Sequence, residues 1–360
     1  MDPEKREVID IRKLLKSVLH YGSSDLHLVV GSEPQIRIDK ELKPLDLPIL
    51  EASDIEEMSY SLISDKQKKL FEDHLELDFS FELDGVGRFR ANYYRTIYGI
   101  ACAFRMIPLT VPSLDEFNNN PIFKELVKKE RGLILVTGPT GSGKSTTLAS
   151  MLNEINIHER RHIITIEDPV EFVHKNKNSL FSQRDVGTDT KSFAEALKHS
   201  LRQDPDVILI GEMRDAETIG AALTAAETGH LVFGTLHTNS APGTINRIID
   251  VFDGEAQAQI RAQLATSLLA VVSQSLIPRI GGGKVATQEV LISNPAINNL
   301  IREDKVHQLY SQMQLNQRET NMTTQTVEIL ELLKKNVITR ENALKNSNRP
   351  EELLKMIESL

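Results

Sequence analysis

The chain is nearly without cysteine, has no long apolar run and carries no excess of basic residues, and each lack closes off a class of protein. Cys102 is the only cysteine in 360 residues, so neither an intrachain disulfide nor a cysteine-cluster zinc site can form. It lies in Gly99-Ile-Ala-Cys-Ala-Phe104 and reads as a small core residue. The most apolar stretch, Leu264 to Ile277, is broken by Thr266, Ser267, Ser273, Gln274 and Ser275 and is too short to span a bilayer. The N-terminus, Met1-Asp-Pro-Glu-Lys-Arg-Glu7, is charged and lacks a signal-peptide apolar region. A net charge of −9 argues against nucleic acid as the main partner. The expectation is a cytosolic protein, or one peripheral to a membrane through a partner, with length for two or three domains.

What is present is organised around Gly132 to Thr147. Leu133, Ile134, Leu135 and Val136 form the short apolar run of a buried parallel strand. Gly138, Pro139, Thr140, Gly141, Ser142 and Gly143 then forbid regular structure. From Lys144, Ser145 and Thr146 onward a helical period resumes through Leu148, Met151, Leu152 and Ile155. Strand, glycine loop and helix, with Gly138-x-x-x-x-Gly143-Lys144-Ser145, fill the phosphate-loop pattern. Glycines let successive N–H groups converge on an anion, and the helix N-terminus adds its positive dipole end. Lys144 reaches the β- and γ-phosphates, and the Ser145 hydroxyl is a Mg²⁺ ligand. The pattern binds a nucleoside triphosphate with Mg²⁺.

Two further strands end in acids. Asp206-Val-Ile-Leu-Ile-Gly211-Glu212 has the form of a Walker B strand, but Gly211 stands where an aspartate is usual. Glu212 is therefore the candidate that polarises the attacking water. Ile163 to Ile166 runs into Glu167, Asp168 and Pro169, and carboxylates at that edge lie beside a phosphate loop. Glu167 is assigned to placing Mg²⁺ or water. His230 and His237 bracket a third strand, at opposite ends, so they do not converge on one metal; His237 suits a γ-phosphate sensor or hydrogen-bond relay. Arg88 and Arg90 share a strand face by period two, and Arg105 lies in the next strand. Each is either a surface residue or an arginine acting in trans on a neighbour's nucleotide.

Before the loop, residues 1–107 read as an α+β domain with a mainly antiparallel sheet. Its first helix includes Val8, Ile9, Leu14 and Leu15, and a second runs from a Ser53 cap to about His74. The alternation of Leu75, Leu77, Phe79, Phe81 and Leu83 with polar residues predicts a half-buried strand. A linker follows at 108–121, marked by Pro108, Pro112 and Asn118-Asn-Asn-Pro121. Residues 122–294 alternate strands (133–137, 162–166, 206–210, 231–235, 286–292) with helices (144–157, 190–202, 215–228, 254–276). That is a doubly wound, mainly parallel α/β sheet. Residues 295–360 are helical.

Together these stretches resemble the secretion and type IV pilus ATPases, and most of all the branch of twitching-motility retraction motors. The resemblance rests on Gly22-Ser-Ser-Asp-Leu-His27, Phe79-Ser-Phe81, Gly87-Arg-Phe-Arg90, the phosphate loop, Thr165-Ile-Glu-Asp-Pro169, Gly211-Glu-Met-Arg-Asp215 and the Thr228 to Thr238 segment. Glycine in place of the Walker B aspartate is normal in that family. Ala296-Ile-Asn-Asn-Leu-Ile-Arg-Glu303 resembles the signature of the retraction branch, with Asn298 where an arginine is usual. Tyr98 stands near where relatives often carry a further arginine. Assembly and type II secretion ATPases share the fold but are typically longer and carry a four-cysteine zinc motif. The resemblance implies ATP as the nucleotide, a RecA-like ATPase core, a PAS-like N-terminal domain and a homohexameric ring in which Arg88, Arg90 and Arg105 complete a neighbour's site. It implies work on an inner-membrane platform protein of the pilus, from the cytoplasmic side and without membrane insertion.

Overall fold

The structure is a computed structural model and describes residues 10–38, 41–107, 110–117, 120–315 and 317–359. The expected helical positions Val8 and Ile9, and Pro108, Asn118 and Asn119 of the linker, lie outside them. The chain divides into two compact units, Met1–Thr110 and Val111–Leu360.

The first unit holds helices α1 (Ile11–His20), α2 (Ala52–Tyr60) and α3 (Asp65–His74). Its strands are β1 (Asp25–Leu28), β2 (Gln35–Ile38), β3 (Glu41–Pro44), β4 (Glu76–Leu83), β5 (Gly87–Thr96) and β6 (Gly99–Ile107). They form one six-stranded sheet in the order β3-β2-β1-β6-β5-β4, each neighbouring pair antiparallel. Alternation decides its faces. Phe89, Ala91 and Tyr93 of β5 are buried with Leu77 and Phe79 of β4 against the helices, whereas Arg90 between them is exposed. The buried Tyr93 hydroxyl donates to the Ser59 carbonyl at 3.0 Å, tying α2 to the sheet. The single helix expected from Ser53 to His74 is two. Glu51 and Asp54 make the first capping box, and Ser64 with Gln67 starts a new helix after Ser61 ends the old one.

The second unit is a seven-stranded sheet, β13-β12-β7-β11-β10-β8-β9. In chain order its strands are β7 (Gly132–Thr137), β8 (His162–Glu167), β9 (Leu180–Asp185), β10 (Val207–Ile210), β11 (Leu231–Leu236), β12 (Leu268–Pro278) and β13 (Lys284–Ile292). All neighbours are parallel except β12 with β13. The first helices are α4 (Ile122–Leu126), α5 (Lys144–His158), α6 (Phe193–Ser200), α7 (Ala216–Glu227), α8 (Ala241–Asp250) and α9 (Gly254–Ser267). They cover both faces. Leu133 and Leu135 of β7 pack into the layer with α7, α8 and α9, while Ile134 and Val136 pack against α4 and α5. A strand buried on both sides needs an apolar run, which β7 carries over Leu133 to Val136, β10 over Val207 to Ile210 and β11 over Leu231 to Phe233. Each such buried Val, Leu or Ile contributes roughly 1.5–3 kcal/mol.

The helix expected over 254–276 ends at Ser267, and Leu268 to Pro278 continue as β12. An apolar stretch buried on both faces has no periodicity that separates strand from helix. Beyond the sheet lie α10 (Pro295–Arg302), α11 (Leu309–Met313), α12 (Gln317–Thr320), α13 (Gln325–Lys334), α14 (Arg340–Asn346) and α15 (Pro350–Glu358). Ile329, Leu330, Ile338, Ala343 and Leu353 form a small core of their own around Ile277 of β12. Among the described residues no helix is long and apolar enough to cross a membrane.

Candidate active site

Because β7, β8, β10 and β11 are parallel, their C-terminal ends share one sheet edge, and the chain leaves each through a segment the sequence had singled out. β7 opens into Gly138–Gly143, β8 ends at Glu167, β10 at Gly211-Glu212, and β11 at His237. β7 stands between β11 and β12, while the chain passes from it to β8 beyond β10. That is a topological switch point, where open α/β sheets bind ligands.

The loop adopts a glycine-dependent path. Gly138, Gly141 and Gly143 have φ of 141°, 76° and 88°. A Cβ on Gly138 would stand 2.1 Å from the Gln274 carbonyl oxygen and 2.6 Å from Ser142 Oγ, so only glycine fits. Lys144, Ser145 and Thr146 open α5, and their N–H groups have no carbonyl inside the helix to donate to. Lys144 folds back over the loop and donates to the carbonyls of Gly138, at 2.8 Å, and Pro139, at 3.1 Å. Burial lowers its pKa, against the pull of Glu171 and Glu212. Ser142 Oγ is buried without a hydrogen-bond partner. Thr140 and Gly141 are exposed at the loop tip.

Glu212 is gripped from two sides. His237 Nε2 lies 2.9 Å from Glu212 Oε1, and Arg214 Nε donates to the same oxygen. Burial pushes the carboxyl up, but Arg214 and His237 outweigh it and hold Glu212 below the ordinary range. The structure thus brings Glu212 and His237 together, the relay arrangement, while His230 at the other end of β11 is tied to the Ala225 carbonyl at 2.9 Å. Gly211 has a steric reason: a Cβ there would lie 3.0 Å from the Ile166 carbonyl oxygen and 3.1 Å from Glu167 Cα. An aspartate cannot occupy that place without moving β8.

Glu167 is half-buried, and desolvation pushes its carboxyl up to about 7 against hydrogen bonds that favour the charge. Thr165 Oγ1 donates to it at 2.7 Å and Gln183 Nε2 at 3.4 Å. With Ser145, Leu148, Phe172, His174 and Thr235 it lines a cavity of about 40 Å³ beside the first turns of α5. Asp168 is exposed. Ser145, Glu167 and Glu212 supply hard oxygen donors, the chemistry of a Mg²⁺ site completed by phosphates and water. Among the described residues no three or more His, Cys, Asp or Glu side chains form a metal cage.

The three arginines belong to the first unit. Arg105 stands directly opposite Arg90 across the β5–β6 pair, on the exposed face. Asp25 of β1, opposite Arg105 on its other side, accepts from Arg105 Nε at 2.8 Å. Arg90 makes a looser pair with Asp78 at 3.8 Å. Arg88 is half-buried. Like charges directly opposite destabilise a sheet, so this pairing is held in place by the two aspartates. Sequence reasoning missed Arg214 and Gln274; the first lies two residues from Glu212, and the second gave no local signal.

The site and sheet define a P-loop nucleotide-binding protein. The family model of the type II/IV secretion system proteins matches residues 4–355, and the chain belongs to that family. It is 51% identical over 343 residues to the type IV pilus retraction ATPase PilT of Pseudomonas aeruginosa, covering 95% of this chain and 99% of the relative. It is 49% identical over 321 residues to a twitching motility protein of Neisseria gonorrhoeae, with 89% and 86% covered. Among solved structures, a crystal structure of the pilus retraction motor PilT with bound ADP superimposes with a TM-score of 0.91 at 48% identity, covering 97% of this chain and all of that one.

Proposed function

We propose that the chain is an ATP-hydrolysing motor, working as a homohexameric ring, that powers type IV pilus retraction. The observation that carries the chemical part is the convergence on one sheet edge of a glycine-built phosphate loop and an ionised Glu212 gripped by His237 and Arg214. The near full-length likeness to the Pseudomonas retraction ATPase supports the biological part.

In this reading the loop N–H groups and the N-terminus of α5 hold the β- and γ-phosphates. Lys144 exchanges the Gly138 and Pro139 carbonyls for phosphate oxygens. The Ser145 hydroxyl, with Glu167 and Glu212 directly or through water, would hold Mg²⁺. That ion supplies charge neutralisation on the phosphate oxygens when bound. Glu212, held anionic by the Arg214 guanidinium and the His237 contact, orients the attacking water and accepts its proton. Glu167, whose desolvated carboxyl gains from a cation beside it, helps to place the ion or the water at that edge. Arginines of a neighbouring copy complete the site in trans; Arg105 is anchored by Asp25, and Arg90 is the more loosely tied of the opposed pair. The ring works from the cytoplasmic side on an inner-membrane platform protein of the pilus.

Phosphate release by purified wild type and Glu212→Gln, with ATP binding measured in parallel, tests the chemistry. The variant is expected to bind ATP and to turn over at least about a hundredfold more slowly, the usual worth of a general base. Unchanged turnover would remove Glu212 from the mechanism. Negligible release by the wild type would leave a nucleotide-gated switch in place of a motor.

A further inference from the structure

Behind the phosphate loop stands a buried amide. Gln274 belongs to β12, which runs parallel to β7, and is only 3% exposed. Both ends of its side chain are spent on the loop region. Nε2 donates to the Ser142 carbonyl at 2.7 Å, and Oε1 accepts from the Thr147 hydroxyl, in the first turn of α5, at 2.8 Å. Gln288, directly opposite on β13, donates to the same Oε1 at 3.2 Å, and the Ser142 carbonyl, which can only accept, fixes Nε2 as the atom that meets it. The fit is close as well as polar. A Cβ on Gly143 would lie 2.7 Å from Gln274 Nε2, and one on Gly138 would lie 2.1 Å from the Gln274 backbone carbonyl oxygen.

A phosphate loop works by turning N–H groups toward the anion and carbonyls away from it. A carbonyl turned into the protein needs a donor there, or it is left buried and unpaired at a cost of about 1–3 kcal/mol. The peptide unit is planar and trans, so the Ser142 carbonyl and the Gly143 N–H point in opposite directions. Pinning the one aims the other.

We propose that Gln274 is a positioning residue for nucleotide binding: through the Ser142 carbonyl it aims the Gly143 N–H at the phosphates, and through Thr147 it fixes the start of α5 against the loop. This rests on the proposed nucleotide function and adds a residue outside every recognised motif of the chain. A strand position that needed only filling would take Val or Leu, as its neighbours Val271 and Val272 do. Gln274 touches no reacting atom; it acts through the loop.

The test uses the full chain as wild type, Gln274→Met, Gln274→Glu and Thr147→Val, titrated with ADP and ATP and melted without nucleotide. Methionine keeps length and packing but removes the donor and the acceptor. Leaving the Ser142 carbonyl unpaired should lower its melting midpoint by about 2–12 °C, and well below that midpoint, where the variant is folded, ADP affinity should fall about tenfold, the upper range for one buried hydrogen bond. KM for ATP should rise by a larger factor than kcat falls. Gln274→Glu keeps the acceptor for Thr147; protonated at acid pH it can still donate to the Ser142 carbonyl, whereas ionised at alkaline pH it sets a carboxylate oxygen against that carbonyl, so any rescue of binding should be lost as pH rises. Thr147→Val should lose a few-fold, and combined with Gln274→Met it should add little, because the bond it removes, Thr147 to Gln274, is already lost in Gln274→Met. Wild-type ADP affinity in a folded Gln274→Met variant would overturn the proposal. Should that variant not fold, Thr147→Val decides, and unchanged affinity there would overturn it equally. Wild type that binds neither ADP nor ATP would overturn the nucleotide function itself.

Discussion

Replacing Glu167 by glutamine should make the chain more heat-stable, and should do so only toward neutral and alkaline pH. The carboxyl is desolvated beside the cavity along α5, and its folded value is about 7 against an ordinary 4.5. A group raised in the folded state contributes its full stability below the unfolded value and loses it as pH rises through the folded one. At about 1.4 kcal/mol per pH unit, the wild type forfeits roughly 3 kcal/mol on going from acid to pH 8, of which about 2.5 falls above pH 5. Glutamine keeps an oxygen to accept from Thr165 and Gln183 and carries no charge to desolvate. For a unit of this size each kcal/mol shifts the midpoint by about 2–4 °C. The melting midpoint of Glu167→Gln minus that of wild type should therefore grow by roughly 5–10 °C between pH 5 and pH 8. Scanning both proteins without nucleotide at several pH values cancels every group the two share. A difference that stays flat, or shrinks as pH rises, would show that Glu167 is not held protonated by burial.

Gly138→Ala should abolish nucleotide binding while β7 still forms, because the new Cβ would lie 2.1 Å from the Gln274 carbonyl oxygen and must displace the loop; retained ADP affinity would refute the close-packed description of the loop. Arg214→Ala should raise the Glu212 carboxyl, since burial then faces only His237, and the acid limb of the kcat–pH profile should move to higher pH. An unmoved limb would separate Glu212 from the group that profile reports.

Much of the fold was legible because its signals are local. The run Leu133 to Val136, the glycines after it and the helical period from Leu148 are contiguous, and β7, loop and α5 fall where they direct. Likewise β4 follows from strict alternation, and Glu167, Glu212 and His237 stand at strand ends as expected. What escaped depends on partners distant in the chain. β12 was hidden inside an apolar stretch continuous with α9, with no Gly or Pro at Leu268 to mark the change. The short edge strand β3 and the strand β9 lack both alternation and a pure apolar run. The break between α2 and α3 is made by two serine-rich caps that a continuous helical pattern overrides on paper. Asp25 meets Arg105 eighty residues away, and Gln274 meets Ser142 at a separation of 132, so neither pairing could be read from spacing.

The central claim, that this ATPase withdraws pili, is tested most directly by deleting its gene in the source organism, counting surface pili and scoring surface motility. Wild type and Glu212→Gln are then restored separately. An excess of surface pili without motility, corrected by the wild type and not by Glu212→Gln, is the expected result. Cells without pili would contradict it and make the protein an extension motor, and unchanged pili would detach it from the pilus altogether.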